Sequence, residues 1–464
     1  MKYFCMMLFF IMMFPAYVYA DGGVGHDIKQ LGSQISEKYG GTLYDQAASC
    51  AICEDGNLLF TGYAASADGD LKGVSKGGGY KDLWILKIDP SNNGILYNKC
   101  FGGSEDDEGY SIAESSDGNI VVVGATVSKD GDLKGIRKSL KGDADLWLLK
   151  IDPKNNRILY NKCFGGTDSD IGTSLCLLSD GCVAITGYTY SMDGDLGVPG
   201  NAGDCDLWVL KVDMSNNNIL YNRTFGGSEY DAGSSIIESR DRNLVIIGDA
   251  NSTNASLAKA GNHGGQDLWL LKIDPKSDRV LYNRCFGGSD MEVGKAIMEV
   301  PGGHIVAVGS TSSVDKDLSG VKTEQVDRDV WVLKIDISNN KILYNCSFGG
   351  SGIDSANSVT DSSNGDIVVG GYTYSNDRDL AGAQYHGGGD AWMIRINMEP
   401  SRKYHFVSSR CFGGSGDDQA NSIVRYGKNY IIFGTTSSKD GHLKGAKSTG
   451  DKEFADWMLL KVSI

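Results

Sequence analysis

The sequence contains one unit seven times. A Gly-Gly pair stands at 40–41, 102–103, 165–166, 226–227, 287–288, 349–350 and 413–414, with spacings of 62, 63, 61, 61, 62 and 64 residues. Each unit owns one of the seven tryptophans: Trp84, Trp147, Trp208, Trp269, Trp331, Trp392 and Trp457. So large a side chain, once per period, marks a packing position. A fixed period of this length means that each unit buries its apolar face only against its neighbours. It overrides the two or three domains that 464 residues would otherwise suggest.

The second unit shows the internal pattern. Ser111-Ile112-Ala113 begins a first strand, and Ser116-Asp117-Gly118-Asn119 turns the chain. Ile120–Gly124 is a β-branched run suited to burial on both faces. After a long polar loop, Asp145–Ile151 forms a third strand. Asp152–Asn156 then turns, and Ile158-Leu159-Tyr160 starts a fourth. These lengths and turn residues fit hairpins, and no segment sustains a helical period. Four-stranded units repeated radially are blades of a β-propeller, so the predicted fold is all-β and seven-bladed. A linear solenoid would need polar caps at its ends.

The last unit stops at Lys461-Val462-Ser463-Ile464, after its third strand. Gln34–Gly41 matches the end of the fourth-strand pattern at Cys100–Gly103, so residues 33–41 are expected to complete the last blade and close the ring. Residues 21–464 then form a single domain. Before it, a basic start, an apolar run from Phe4 to Phe14, Pro15 and the small-residue end Val18-Tyr19-Ala20 read as a secretory leader cut after Ala20. The expected destination is outside the cytoplasm: periplasm, cell surface or medium. The leader's apolar run is about half of the ~20 residues that a membrane span needs, and no later segment approaches that length.

Residues 101–112, Phe-Gly-Gly-Ser-Glu-Asp-Asp-Glu-Gly-Tyr-Ser-Ile, followed by Asp117–Gly124, resemble the secreted bacterial seven-bladed β-propeller repeat (SBBP-type) family. The resemblance extends over all seven units. It implies the fold and carries no activity with it. Departures are local: Ala255-Ser256-Leu257 replaces an Asp-x-Asp-Leu run in the fourth unit, and Pro301-Gly302-Gly303 replaces Ser-Asp-Gly in the fifth.

With 59 acids against 44 bases the net charge is −15. This argues against a nucleic-acid or anionic-membrane partner, since neutralising phosphates requires a basic face. The short hairpins should gather on one face of the ring. The long second-to-third-strand loops and the Gly-Gly loops should gather on the other, where the unusual chemistry lies.

One acid recurs in each Gly-Gly loop: Asp45, Asp107, Asp170, Asp231, Glu292, Asp354 and Asp418. These should circle the channel mouth, either as a cation site or, as sevenfold repetition favours, as acceptors for their own loops' N–H groups. A second set, Asp82, Asp145, Asp206, Asp267, Asp329, Asp390 and Asp456, reads as loop clamps. The runs Asp68-Gly69-Asp70, Asp130-Gly131-Asp132 and Asp193-Gly194-Asp195 resemble the start of a calcium loop but lack its bidentate Glu. Turn chemistry is the plainer reading, and Ca2+ stays open.

The long loops also differ from copy to copy, and difference is where specificity can reside. Tyr80 marks the first loop, Arg137, Lys138 and Lys141 the second, and Gln384-Tyr385-His386 the sixth. Tyr80, Asp377, Tyr385, His386 and Asp390 are therefore the candidate ligand residues. No Ser-His-Asp order, HExxH, P-loop or paired CxxC is present. The expectation is a monomeric, non-catalytic binding scaffold for a protein or glycan that needs no cofactor. A carbohydrate-active propeller and a calcium-stabilised surface protein are the alternatives.

Ten cysteines follow the leader. Cys100, Cys163, Cys285 and Cys411 share one place in the repeat, too far apart on successive blades to bridge, and read as small buried residues. Cys176 and Cys182 flank a hairpin and are the disulfide candidate.

Overall fold

In a computed structural model, residues 36–76, 80–136, 143–196, 203–321, 327–399, 406–446 and 455–463 are described. The leader, residues 33–35, and Arg137, Lys138 and Lys141 lie outside them. Twenty-eight strands, β1 to β28 in chain order, form seven four-stranded antiparallel sheets. Among the described residues no helix is long and apolar enough to cross a membrane.

Blade 1 sets the pattern with β2 (Asp45–Ile52), β3 (Leu58–Ala64), β4 (Asp82–Asp89) and β5 (Gly94–Phe101). Its hairpins are made by residues suited to turns: Asp55 Oδ1 accepts the Asn57 N–H at 3.0 Å, and Asn93 takes the left-handed φ of 58°. β3 is buried throughout because its sheet is covered on both faces, whereas β5 is half exposed at the rim. First strands of adjacent blades touch all the way round, so they form the innermost wall.

Each first strand carries one β-bulge. The residues skipped by the pairing are Ala48, Tyr110, Thr173, Ser234, Lys295, Asn357 and Asn421. A bulge frees backbone N–H groups from the ladder, and the serine after it serves the next blade. Ser111 Oγ accepts from Leu175 N at 3.2 Å, Ser174 Oγ from Ile236 N at 3.3 Å, and Ser358 Oγ from Ile423 N at 3.1 Å.

The ring closes as predicted. β1 (Ser36–Tyr39) pairs antiparallel with β28 (Asp456–Val462), Ser36 opposite Leu460 and Tyr39 opposite Trp457. Lys38, 4% exposed, reaches Asp456 at 2.9 Å and the Ser438 carbonyl at 3.2 Å.

All seven indoles are buried. Six sit opposite a glycine of the second strand, as Trp147 does opposite Gly124, and pack against the preceding blade; Trp147 lies among Leu59, Leu83 and Ile85 of blade 1. A Cβ at Gly124 would fall 1.8 Å from the Glu108 carbonyl, so the position admits only glycine. The seventh differs. Met458 faces Gly434, and Trp457 is one residue earlier. A one-residue offset reverses the face in a strand, so Trp457 enters the seam with blade 1, its ring centroid 3.9 Å from that of Trp84. Met458 fills the vacated place beside Val368 and Ala391 of blade 6.

Five indole N–H groups donate to an asparagine of the fourth strand: Asn98, Asn161, Asn222, Asn283 and Asn345, at 2.7–2.8 Å. The same asparagines donate to carbonyls of the long loops, as Asn161 does to Asp132 at 2.7 Å. Tyr-Asn recurs in those five units, but the sequence alone does not reveal this role.

The Cys176–Cys182 disulfide is corrected: both thiols are free. In the hairpin of β10 (Asp170–Leu177) and β11 (Val183–Thr189), Cys176 lies opposite Ala184, while Leu178 donates to the Cys182 carbonyl. The two cysteines share a face diagonally and are not cross-strand partners.

Candidate functional site

The repeated acids hold loops. The seven acids of the Gly-Gly loops open the innermost strands and are 0% exposed. Each accepts the N–H of the second glycine four residues back, at 2.7–2.8 Å. Most also bind a hydroxyl of the long loop, as Asp107 does with Ser128 Oγ at 2.7 Å and Asp354 with Ser375 Oγ at 2.8 Å. Their charge is turned into the loops and away from the channel. Burial pushes Asp45, Asp107, Asp170, Asp354 and Asp418 up to about 6 against the opposing pull of these hydrogen bonds; the direction is upward for Asp231 as well.

The Asp-Gly-Asp runs are tied to the same loops. Asp68, Asp130 and Asp193 accept the N–H groups of Thr42, Ser104 and Thr167 at 2.7–2.8 Å. Asp70 and Asp132 accept those of Gly40 and Gly102 at 3.2 and 3.1 Å. Asp195 stands near the Gly165 carbonyl, which accepts its N–H at 2.9 Å.

Of the outer-loop candidates, the structure brings His386 and Asp390 together. The His386 backbone N–H and Nδ1 lie 2.8 and 2.9 Å from the buried Asp390 carboxylate, and His442 of blade 7 stacks edge-on at 4.8 Å. Tyr385 donates its hydroxyl to the Gly388 carbonyl, and Asp377 accepts from Ser351 N at 2.8 Å. Tyr80 belongs to blade 1 and does not join them. Blade 4 repeats the clamp with His263 on Asp267 at 2.9 Å, which makes it a recurring fastening.

Cys53, Asp55 and Glu114 also converge, with ligand atoms within 4.8 Å of one another on the hairpin face. The Lys87 ammonium already bridges both carboxylates, at 3.1 and 3.0 Å.

What differs between blades collects at the channel mouth. The residues just before the seven buried acids are Tyr44, Asp106, Ser169, Tyr230, Met291, Ile353 and Asp417. Tyr44, Met291 and Ile353 are 39, 42 and 50% exposed. Below them lie the bulge residues. Ala48, Tyr63, Tyr110, Ala125 and Ile171 form one apolar cluster with Tyr188 against it. Side chains of three blades meet in this way only around the axis.

The opposite wall is polar: Asp249, Lys295, Ser310, Ser355, Asn357 and Asn421. Lys81 bridges the aromatic half, paired with Glu108 and 4.6 Å over the Tyr63 ring. In the sequence, difference between units is most visible in the long loops, and these positions lie outside them. The signal was there: each bulge residue follows Gly or Ala and, in six units, precedes Ser.

No family model matches the chain. A regulatory protein, FlaEY of Caulobacter vibrioides, is 23% identical over 434 residues, covering 89% of this chain. The chain spans 40% of that protein's length. Among solved structures, Sqt1 of Chaetomium thermophilum aligns at a TM-score of 0.46 and 9% identity, covering 93% of this chain and 98% of its own. The β-propeller domain of the Trilobed protease from Pyrococcus furiosus aligns at 0.41 and 8%, covering 90% and 95%. The seven-bladed fold itself rests on the strand pairing.

Proposed function

We propose that the protein is an exported, non-catalytic binding scaffold of the SBBP type that takes a protein or glycan ligand at the channel mouth. One observation supports this reading. Residues that hold the blades repeat from unit to unit, whereas the mouth residues change at every step and leave large apolar side chains exposed. Scattered exposed apolar residues are ordinary, but a cluster of them at a rim marks an interaction site. A sugar ring is a favoured ligand within this class, because Tyr63 and Tyr110 stand beside the Glu108 carboxylate. FlaEY is described as regulatory, which accords with binding rather than turnover.

Glycan and peptide arrays probed with the full chain test the reading. Ligands should lose at least tenfold in affinity for a Tyr44→Ser/Met291→Ser/Ile353→Ser variant and keep it for Tyr80→Ser/Tyr385→Ser. Loss confined to the second variant would move the site to the outer loops.

A further inference from the structure

We infer that a cavity at the outer rim, where blades 4 and 5 meet, is a binding site for a small organic anion, an apolar body carrying a carboxylate or a phosphate group. It lies apart from the channel mouth and does not depend on the mouth being a binding surface.

The site follows from the fourth unit's departure in sequence. In blades 1, 2, 5, 6 and 7 the short helical turn of the long loop leads into a left-handed glycine. These are Gly73, Gly135, Gly320, Gly382 and Gly445, with φ of 76–91°. The residue before each has a ψ of 108–117°, whereas Ala258 in blade 4 has a ψ of −20° and stays helical. Without the left-handed step the place no longer requires glycine, and Lys259 occupies it. The next position holds Val74, Ile136 and Val321 in blades 1, 2 and 5, but Ala260 in blade 4. Blades 6 and 7 also have alanine there, behind their glycine. Of these six loops, only that of blade 4 combines a small residue with a long cationic one. The Cys285 N–H donates to the Ala260 carbonyl at 2.7 Å and pins the loop to the fourth strand of its blade, β17 (Arg279–Phe286).

The space beside Ala260 is a cavity of about 470 Å3, and its wall includes Lys259, Leu281, Arg284, Ile337 and Asn340. A volume of this size suits a small molecule. Leu281, 38% exposed, and Ile337 supply apolar surface for the body of the ligand.

The charge on the wall is positive. The Arg284 guanidinium lies 4.3 Å over the Phe286 ring and donates to Asn340 Oδ1 at 3.1 Å, to the Asn340 carbonyl at 3.3 Å and to Asp317 Oδ1 at 3.3 Å. These contacts fix the plane of the group and leave others of its five N–H donors for a ligand. Asp317 is itself shared: it accepts the Gly287 N–H at 3.4 Å, and His263 Nε2 stands 4.0 Å from it. Lys259 has no hydrogen-bond or ion-pair partner among the described residues. Two cations and, among the described residues, no carboxylate thus line a cavity in a chain whose net charge is −15. Arginine and lysine together are suited to carboxylate and phosphate.

The test is calorimetric titration of the full chain with benzoate, phenyl phosphate and the uncharged benzyl alcohol at fixed ionic strength. One saturable site is expected for at least one of the two anions. Benzyl alcohol should bind about tenfold more weakly, because it lacks the charged acceptor for these hydrogen bonds. Binding of benzoate alone would identify a carboxylate site, and of phenyl phosphate alone a phosphoryl site. The exposed Lys259→Gln should weaken the anion about tenfold, and Ala260→Ile, which installs the residue found in blade 2, should abolish binding. Tyr44→Ser at the mouth should leave the affinity unchanged. No saturable binding of either anion, benzyl alcohol binding as tightly as they do, or equal affinity in Lys259→Gln and wild type overturns the site. Loss of binding in Tyr44→Ser would move the anion to the mouth and overturn it too.

Discussion

Five seams of the ring are built alike, whereas the seam of blades 6 and 7 holds Met458 in place of an indole and that of blades 7 and 1 holds two. In the ordinary seam a tryptophan from one blade packs on its predecessor, and four of these five indoles are bonded to an asparagine. At the junction of blades 7 and 1 two indoles face each other, Trp457 on Trp84, and the Trp457 Nε1 has no partner. In blades 1, 4 and 6 the acid ahead of the tryptophan is held by loop atoms, as Asp82 is by Ser75 Oγ and Lys76 N at 3.0 and 2.8 Å. Here Lys38 of the closing strand takes that part. The seven seams therefore share a requirement, a filled apolar layer with a buried carboxylate at its end, and do not share a recipe.

The largest effect should come from removing the closing strand. Deletion of residues 21–41 exposes the edge of β28 and the Tyr39 side of the last core layer, and open edges aggregate. Expect loss of the full-length chain's peak in size-exclusion chromatography; a truncated chain with an unchanged Tm would break the comparison. Trp457→Ala should cost about 3–5 kcal/mol, measured by denaturant melts, and should release Trp84 fluorescence from its stacked partner. Lys38→Met leaves Asp456 buried and unpaired and should cost about 3 kcal/mol; adding Asp456→Leu should recover part of it.

Acidity reaches most of the seams at once. Burial raises Asp45, Asp107, Asp170, Asp354 and Asp418 to about 6 in the folded protein and Asp329 to about 7, from an ordinary carboxylate value of 3.8. The folded state then holds more protons between those limits, so their contribution is complete below about 4 and is lost as pH rises through 6 to 7. Tm should be higher at pH 5 than at pH 8. Salt-bridged acids such as Asp241, held down at about 2 by Lys272, oppose this only at lower pH. The smallest effect is a gain. Ser409 stands in blade 6 where five other blades have asparagine, and Trp392 Nε1 is unpartnered. Ser409→Asn should add about 1 kcal/mol, read as a higher denaturation midpoint.

The architecture was legible because a period, a turn residue and a β-branched run each leave marks in composition. Closure by residues near 36–39 could be read from an incomplete last unit. The Asp456-Trp457 offset was equally visible, but its consequence depends on which face a strand buries, and that only pairing reveals. The cysteine hairpin misled because proximity in sequence does not give register. The mouth was hidden for a different reason. Its residues lie next to the strongest repeat signals, in loops too short to look functional, and a bulge has no composition of its own. Lys295 became conspicuous only once Ala48, Tyr110, Thr173, Ser234, Asn357 and Asn421 were seen to occupy the same place.

The pairing of β1 with β28 also sets an order of events. Hairpins within a blade join neighbours in sequence and can form early, but the closing strand must wait for a partner some 400 residues away: Ser36 bonds the His442 carbonyl across 406 positions. Contacts of such separation are slow to form. The first strand of the chain is thus the last to dock, and until then the seventh blade is a three-stranded sheet with one edge open, the interval in which a chaperone would have most to protect.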